Sequence, residues 1–345
     1  MSRSPAGHYI PDSLAKRVPY TDTLRFDEYE ISMGYGHQEI LHLLGIVIDD
    51  VAPKAKKIKA LRLLADIFPG REDEAIQLNA ISVIKPFLAQ QPNGLLLHSI
   101  SAITALVNNA DHANFIVSDI PKIVKILSPD VEPPLRLAAA TLLCRIAEFV
   151  GPVNEFTQDK IPTDLVTAVA YKDSSKEFIN EMFYLLSRLT NVQKVRVPII
   201  SSTELLARIC KSISDPYLSD SAMILSNNIA MDKSHHGKIA LLNSGIIDVI
   251  NPLLRSDDKE IRMSALSLIA LLAVPKDGKE LLSTMPDTAD LLQKISETDP
   301  DMICRDTAMK CRIFIAEIPF GKAIVGDVVD PSRPVLPKPD DDEDE

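Results

Sequence analysis

One apolar eight-residue block returns seven times along the chain, and its spacing limits the possible folds more tightly than any other feature. The blocks are ALRLLADI (60–67), AITALVNN (102–109), AATLLCRI (139–146), MFYLLSRL (182–189), AMILSNNI (222–229), ALSLIALL (265–272) and AMKCRIFI (308–315). Their first positions lie 42, 37, 43, 40, 43 and 43 residues apart. Apolar residues within a block fall at helical spacing, and a steady return at this length marks a stack of supersecondary units. A small residue opens six of the seven, as expected where adjacent helices pack closely. Such a unit buries only part of its apolar surface internally and needs a neighbour on each side, which is the logic of a solenoid.

Residues 239–274 show one unit most clearly. Residues 239–242 form a short apolar turn that ends at Asn243-Ser244-Gly245, where glycine can take the left-handed conformation. Ile246, Ile247, Val249, Ile250, Leu253 and Leu254 then recur at helical spacing. Ser256-Asp257-Asp258 closes that helix and supplies an N-cap for the next. In the third helix Ile261, Ala265, Leu268, Ile269 and Leu272 make one broad face apolar.

Ahead of the other blocks, the pattern predicts preceding helices over 76–90, 115–130, 159–173, 198–215 and 281–299. Pro121 and Pro162 suit a first helical turn, where the missing N–H has no partner to lose. Pro129, Pro216 and Pro300 mark helix boundaries. In the last block Arg312 stands where the others carry Leu, Ile or Ser226, so either the register slips there or the end helix is exposed.

Composition supports an all-α chain that folds along most of its length. Hydrophobic residues make up 46% of the 345, glycine is scarce at 12, and tryptophan is absent. The formal charge is −11, and six of the acids stand together at 340–345; without them the body is −5. A mildly acidic body disfavours nucleic acid, whose backbone needs a basic face. Cys144, Cys210, Cys304 and Cys311 lie in apolar helical contexts with no CxxC spacing. No leader-type segment and no apolar run near 18 residues is present, so the expectation is a soluble protein of a reducing cell interior, with no membrane contact.

The ends differ from the middle. Residues 1–35 carry Pro5, Pro11 and Pro19 with Tyr9, Tyr20, Phe26, Tyr29 and Tyr35 at no helical period. They are expected to form an extended arm, docked on the protein's own body or on a partner. The repeats occupy 36–319, and 320–345 is expected to be a disordered, proline-rich acidic tail that solubilises the chain or meets basic surfaces. Its Ile324-Val325 and Val328-Val329 are apolar enough to lie along the last repeat.

Catalysis has little to stand on. The chain has no GxSxG, no glycine-rich phosphate loop and no HExxH. His37 with His42, and the adjacent His235-His236, do not have metal-ligand spacing. Acid pairs at 70–74, Asp49-Asp50 and Asp257-Asp258, and the Ser201-Ser202 run, are expected to cap helices. No catalytic residue, metal, cofactor or small-molecule substrate is expected.

Short helix, glycine, two longer helices and an acidic turn make each unit resemble an armadillo repeat, over 37–319. The resemblance implies a right-handed solenoid of the armadillo or HEAT type with about seven repeats. It also implies that the third and seventh residues of each block face a groove, where the family often carries Trp and Asn. Here the third positions are Arg62, Thr104, Thr141, Tyr184, Ile224, Ser267 and Lys310. The seventh are Asp66, Asn108, Arg145, Arg188, Asn228, Leu271 and Phe314. The Trp row is missing and only Asn108 and Asn228 keep the amide, so the ladder by which a nuclear-import receptor clamps basic peptides is incomplete. Candidate partner-binding residues are therefore Arg62, Asp66, Asn108, Arg145, Tyr184, Arg188 and Asn228. Arg145 and Arg188, one repeat apart, suit an acidic partner segment, or else pair with Glu148 and Glu181.

A narrower likeness is carried by Gly36-His37, IKALRLLADI, FIVSDIPKIVKILSPD, LRLAAATLLCRIAE and LSLIALLAVPKDGKELL. These resemble the radial spoke head 14 family of ciliary axonemes. That resemblance implies a non-catalytic structural subunit of a cilium or flagellum, within the cytoskeleton, whose partners are other subunits of a large axonemal complex. The alternative is a soluble transport or assembly receptor that grips a peptide or cargo in the groove.

Overall fold

The computed structural model describes residues 31, 37–89, 94–151 and 153–316, and every regular element among them is helical. In chain order these are α1 (His37–Ile48), α2 (Lys54–Ile67), α3 (Glu72–Gln77), α4 (Ala80–Ile84), α5 (Gly94–Leu106) and α6 (Ala110–Asn114). Next come α7 (Ile120–Lys125), α8 (Pro133–Val150), α9 (Ile161–Ala170), α10 (Lys176–Leu189), α11 (Gln193–Ser201), α12 (Thr203–Ile213) and α13 (Ser219–Ala230). The series ends with α14 (His236–Asn243), α15 (Ile246–Ile250), α16 (Lys259–Leu272), α17 (Lys276–Ser283), α18 (Pro286–Thr298) and α19 (Met302–Ala316). The expected arm, apart from Ile31, which is buried in the core, and the expected tail lie outside the described residues.

The repeated blocks fall on α2, α5, α8, α10, α13, α16 and α19, except that the second block runs past the end of α5 and leaves Asn108 in the turn before α6. Each of these third helices packs against the next in a single file. Burial follows block position with little variation. The opening residues Ala60, Ala102, Ala139, Met182, Ala222, Ala265 and Ala308 are all fully buried. The register therefore holds through the last repeat, and Arg312 is accommodated at the exposed end, where Nη1 donates to Ser296 Oγ at 3.0 Å. At the second position Leu61, Ile103, Ala140, Phe183, Met223 and Leu266 are buried, whereas Met309 is 39% exposed. The first six are covered by a following repeat, and among the described residues nothing follows α19.

The middle helices depart from the single long segments that the pattern predicts. Residues 76–90 divide at Asn79, which takes the left-handed conformation (φ 57°), just as Gly245 does (φ 78°) between α14 and α15. Asparagine is among the few side chains that enter this region routinely, so it replaces the expected glycine. After α4 and α15 the chain tightens into 3-10 turns at Lys85–Ala89 and Asn251–Arg255, each with proline at its second position. Likewise 198–215 divides at Ser202, whose hydroxyl caps α12 by accepting from Leu205 N at 3.2 Å. Residues 281–299 divide between α17 and α18, and 115–130 opens with a 3-10 turn at Val117–Asp119. Helix α9 covers Ile161–Ala170, within the expected 159–173. Asp258 caps α16 as expected, accepting from Glu260 N at 2.8 Å. The acids at 70–74 and Asp49-Asp50 do not cap as expected: the N-cap residues Arg71 of α3 and Pro53 of α2 make no side-chain cap bond, and Asp49 accepts from Val51 N at 3.0 Å. The acids of 70–74 make ion pairs instead, Arg71 reaching Glu39 and Glu74, both at 2.9 Å, and Asp73 meeting His112 at 3.1 Å.

A recurring arginine, outside the eight-residue blocks, ties the repeats together. Arg136, Arg262 and Arg305 each stand three residues before a block. Arg136 donates to Leu127 O (3.2 Å) and Ser174 Oγ (3.1 Å), and its guanidinium lies 4.5 Å from the Phe178 ring centre. Arg262 donates to Ser256 O and Asp257 O at the end of its own middle helix, and grips both carboxylate oxygens of Asp299 in the next repeat at 2.8 and 3.0 Å. Arg305 repeats the first contact, donating to Asp299 O at 3.0 Å. These side chains satisfy carbonyls that a helix end leaves without partners.

Candidate functional site

The file of third helices presents its third and seventh block positions to solvent. None of these residues is buried in any repeat. Thr104 and Thr141 turn their hydroxyls back to their own helices, onto Ile100 O and Leu137 O. Arg62 is exposed and lies beside His98, whose pKa is lowered by burial and by that guanidinium. Asp66 is exposed. Asn108 is exposed and hydrogen-bonds Glu72; burial, which pushes that carboxyl up, is outweighed by the backbone N–H groups of Glu72 and Gly70 and by Asn108.

The structure brings three of the seven candidates together. Arg145 on α8 and Arg188 on α10 share Glu148, at 3.4 and 3.8 Å. The chain itself thus supplies a carboxylate to both guanidinium groups, the alternative to an acidic partner given above. Contacts this long between partly exposed groups contribute little, about 0–1 kcal/mol each. Arg188 Nε has no hydrogen-bond partner among the described residues. Glu181 lies beside the pair, but its pKa is raised because burial outweighs Arg145 and Arg188. Tyr184, one turn before Arg188, also has a raised pKa, through burial and then the Asp220 carboxylate. Asn228 is already engaged, donating to Ser187 O of the preceding third helix at 2.9 Å. Its amide therefore braces two repeats instead of waiting for a peptide backbone. Arg62, Asp66 and Asn108 belong to the first two repeats and stand apart from this cluster.

Beside Tyr184 the groove deepens into an open cleft of about 640 Å³ between α10, α13 and α16. Its apolar walls are Tyr184, Met223, Ile224, Leu253 and Ile261, and Asp220, Asp258 and Glu260 line it as well. These acids sit at or just before the first turn of their third helices, outside the two rows that the repeat comparison identified. A search of first-turn positions for acids would have found them.

The chemistry offered is recognition. Cys144, beside Glu181 and Arg188, has its thiol pushed up to about 11, chiefly by burial, so it is held as the unreactive thiol. Among the described residues no group of three or more His, Cys, Asp or Glu side chains is placed to hold a metal.

No protein-family model matches the sequence, and no curated protein matches it either. Among solved structures, an engineered protein superposes with a TM-score of 0.69 at 18% identity, covering 84% of this chain and 70% of its own. A designed armadillo repeat protein in complex with the peptide (KR)4 superposes with a TM-score of 0.58 at 17% identity, covering 68% of this chain and 99% of its own. At these identities the likeness is one of fold, and the fold is an armadillo-type α-solenoid.

Proposed function

We propose that this α-solenoid is a non-catalytic scaffold that holds a segment of another protein along its file of third helices. The observation that carries the reading is that no residue at block positions three or seven is buried, beside a cleft with apolar walls and charged ends. Arginine, tyrosine and exposed aliphatic side chains in one groove are the usual anchors of a protein interface. The designed armadillo repeat protein of similar fold is in complex with a peptide, which supports peptide binding by this architecture. A formal charge of −11 argues for protein partners over nucleic acid or an anionic membrane.

The finer part of the proposal is a place in the ciliary axoneme, as a radial-spoke subunit among other subunits of that assembly. It is supported by the sequence likeness around Gly36-His37, the 58–67 block and the 266–282 run. Purification of tagged protein from ciliated cells tests the groove. Arg145→Glu with Arg188→Glu should lose associated proteins while keeping the helical signal, and unchanged association would overturn the groove assignment. Imaging of the same tag tests the location, and a diffuse or nuclear signal with none on cilia would refute the axonemal placement.

A further inference from the structure

We infer that the groove over the third to sixth repeats takes an extended segment of fixed charge order: an acidic residue, an apolar stretch, then a basic residue. The inference rests on the groove reading above and gives the partner a chemistry.

At one end, two guanidinium groups share the exposed Glu148 at 3.4 and 3.8 Å, with the more buried Glu181 beside them, and such long contacts between partly exposed groups hold them only weakly. Arg145 keeps 49% and Arg188 36% of its side chain exposed, so guanidinium N–H donors remain open to solvent there, while Arg188 Nε is buried beneath them. In the middle, Tyr184, Ile224 and Ile261 form an apolar floor, and Ile224 is 42% exposed although it is a large aliphatic residue. At the other end stand Asp220, Asp258 and Glu260, and none of them has an ion pair among the described residues. The nearby lysine, Lys259, is turned to Asp301 at 2.9 Å.

A uniformly basic segment would meet the arginines and a uniformly acidic one would meet the three acids, so only a segment of mixed order is attracted along its whole length. Packed helices lie about 8–10 Å apart, so the two steps from α10 to α16 span about 16–20 Å. An extended chain covers that distance in about five or six residues. The acidic and basic side chains of the segment should therefore be separated by about that number, with apolar residues between them.

Fluorescein-labelled peptides and the full chain test this by anisotropy. One peptide has an acidic end, an aliphatic middle and a basic end; the others are a composition-matched peptide with charges alternating, an all-acidic one and an all-basic one. The segregated peptide should bind at least about tenfold more tightly than the other three, about 1.4 kcal/mol. Arg145→Glu with Arg188→Glu should turn the preference toward the all-basic peptide, and Asp220→Lys with Glu260→Lys toward the all-acidic one. Equal binding of segregated and alternating peptides, or strongest binding of a uniformly charged one to the unaltered chain, would overturn the charge order while leaving the groove in place. Binding that ignores both double variants would overturn the groove reading itself.

Discussion

The same substitution, glycine to alanine, should change stability in opposite directions at two places in this molecule. Gly278 lies in α17, where that helix crosses the carboxyl end of α16. A Cβ built there would stand 1.8 Å from Leu272 O, 3.0 Å from Leu272 C and 3.3 Å from Leu242 Cδ1. An ordinary carbon-to-oxygen approach is about 3.3 Å, so the two backbones would have to part by about 1.5 Å. A gap of that size removes a quarter to a half or more of the contact attraction along the interface, and overpacking of this kind costs about 1–3 kcal/mol. Alanine returns about 0.5–1 kcal/mol of helix preference. Because the obstacle is backbone, the cost should fall at the upper end, leaving Gly278→Ala destabilised by about 2 kcal/mol. Gly237 meets Ile229 O at 2.3 Å, at the equivalent block position, and should behave alike. Gly45, inside α1, has nothing within 4 Å of its built Cβ. Gly45→Ala should therefore stabilise by about 0.5–1 kcal/mol. Chemical denaturation followed by helical circular dichroism gives both signs, and a stabilised Gly278→Ala would refute the close approach of α17 to α16.

Breaking the buried Arg262–Asp299 pair with Arg262→Ala should cost about 3–5 kcal/mol, read from the same denaturation curves. At Asp299 and Asp119, burial pushes the carboxyl up but is outweighed, by Arg262 in one case and by Lys122 and Lys85 in the other, so both pKa values are lowered. The stability they contribute is complete above the ordinary carboxylate value of about 3.9 and is lost as pH falls through the lowered values; Asp299→Asn should flatten the acid limb of a stability-versus-pH series. Leu266→Asp should cost more than about 4 kcal/mol, whereas Met309→Asp, at the same block position but 39% exposed, should change stability by about 0.5 kcal/mol or less. All four cysteines are buried and free, with Cys311 pushed up to about 12 by burial, so a thiol reagent should label none in the folded protein and all four in denaturant.

Much of the fold was legible because block periodicity records burial directly. Position one is closed in every repeat, from Ala60 to Ala308, and such a pattern survives even where Arg312 interrupts the apolar run. The breaks in the middle helices were harder to see. Asn79 does the work of a glycine through its backbone conformation, and Pro86 and Pro252 tighten turns without ending the apolar period. At rows three and seven no residue is buried, yet what these residues can do depends on neighbours in space. Glu148 belongs to neither row but sits between Arg145 and Arg188, and Asn228 is committed to Ser187 O across 41 residues. Asp220 and Glu260 reach the cleft from first-turn positions that a comparison of block interiors does not include.

Photo-crosslinking tests the central claim most directly: a photoreactive residue is placed singly at Ile224 in the cleft or at the exposed Val197 on α11, in tagged protein expressed in ciliated cells. The account predicts adducts from position 224 that map to one short partner segment with an acidic residue, an apolar stretch and a basic residue, and none to that segment from position 197. Adducts on that segment from 197 alone, or equally from both positions, would contradict it.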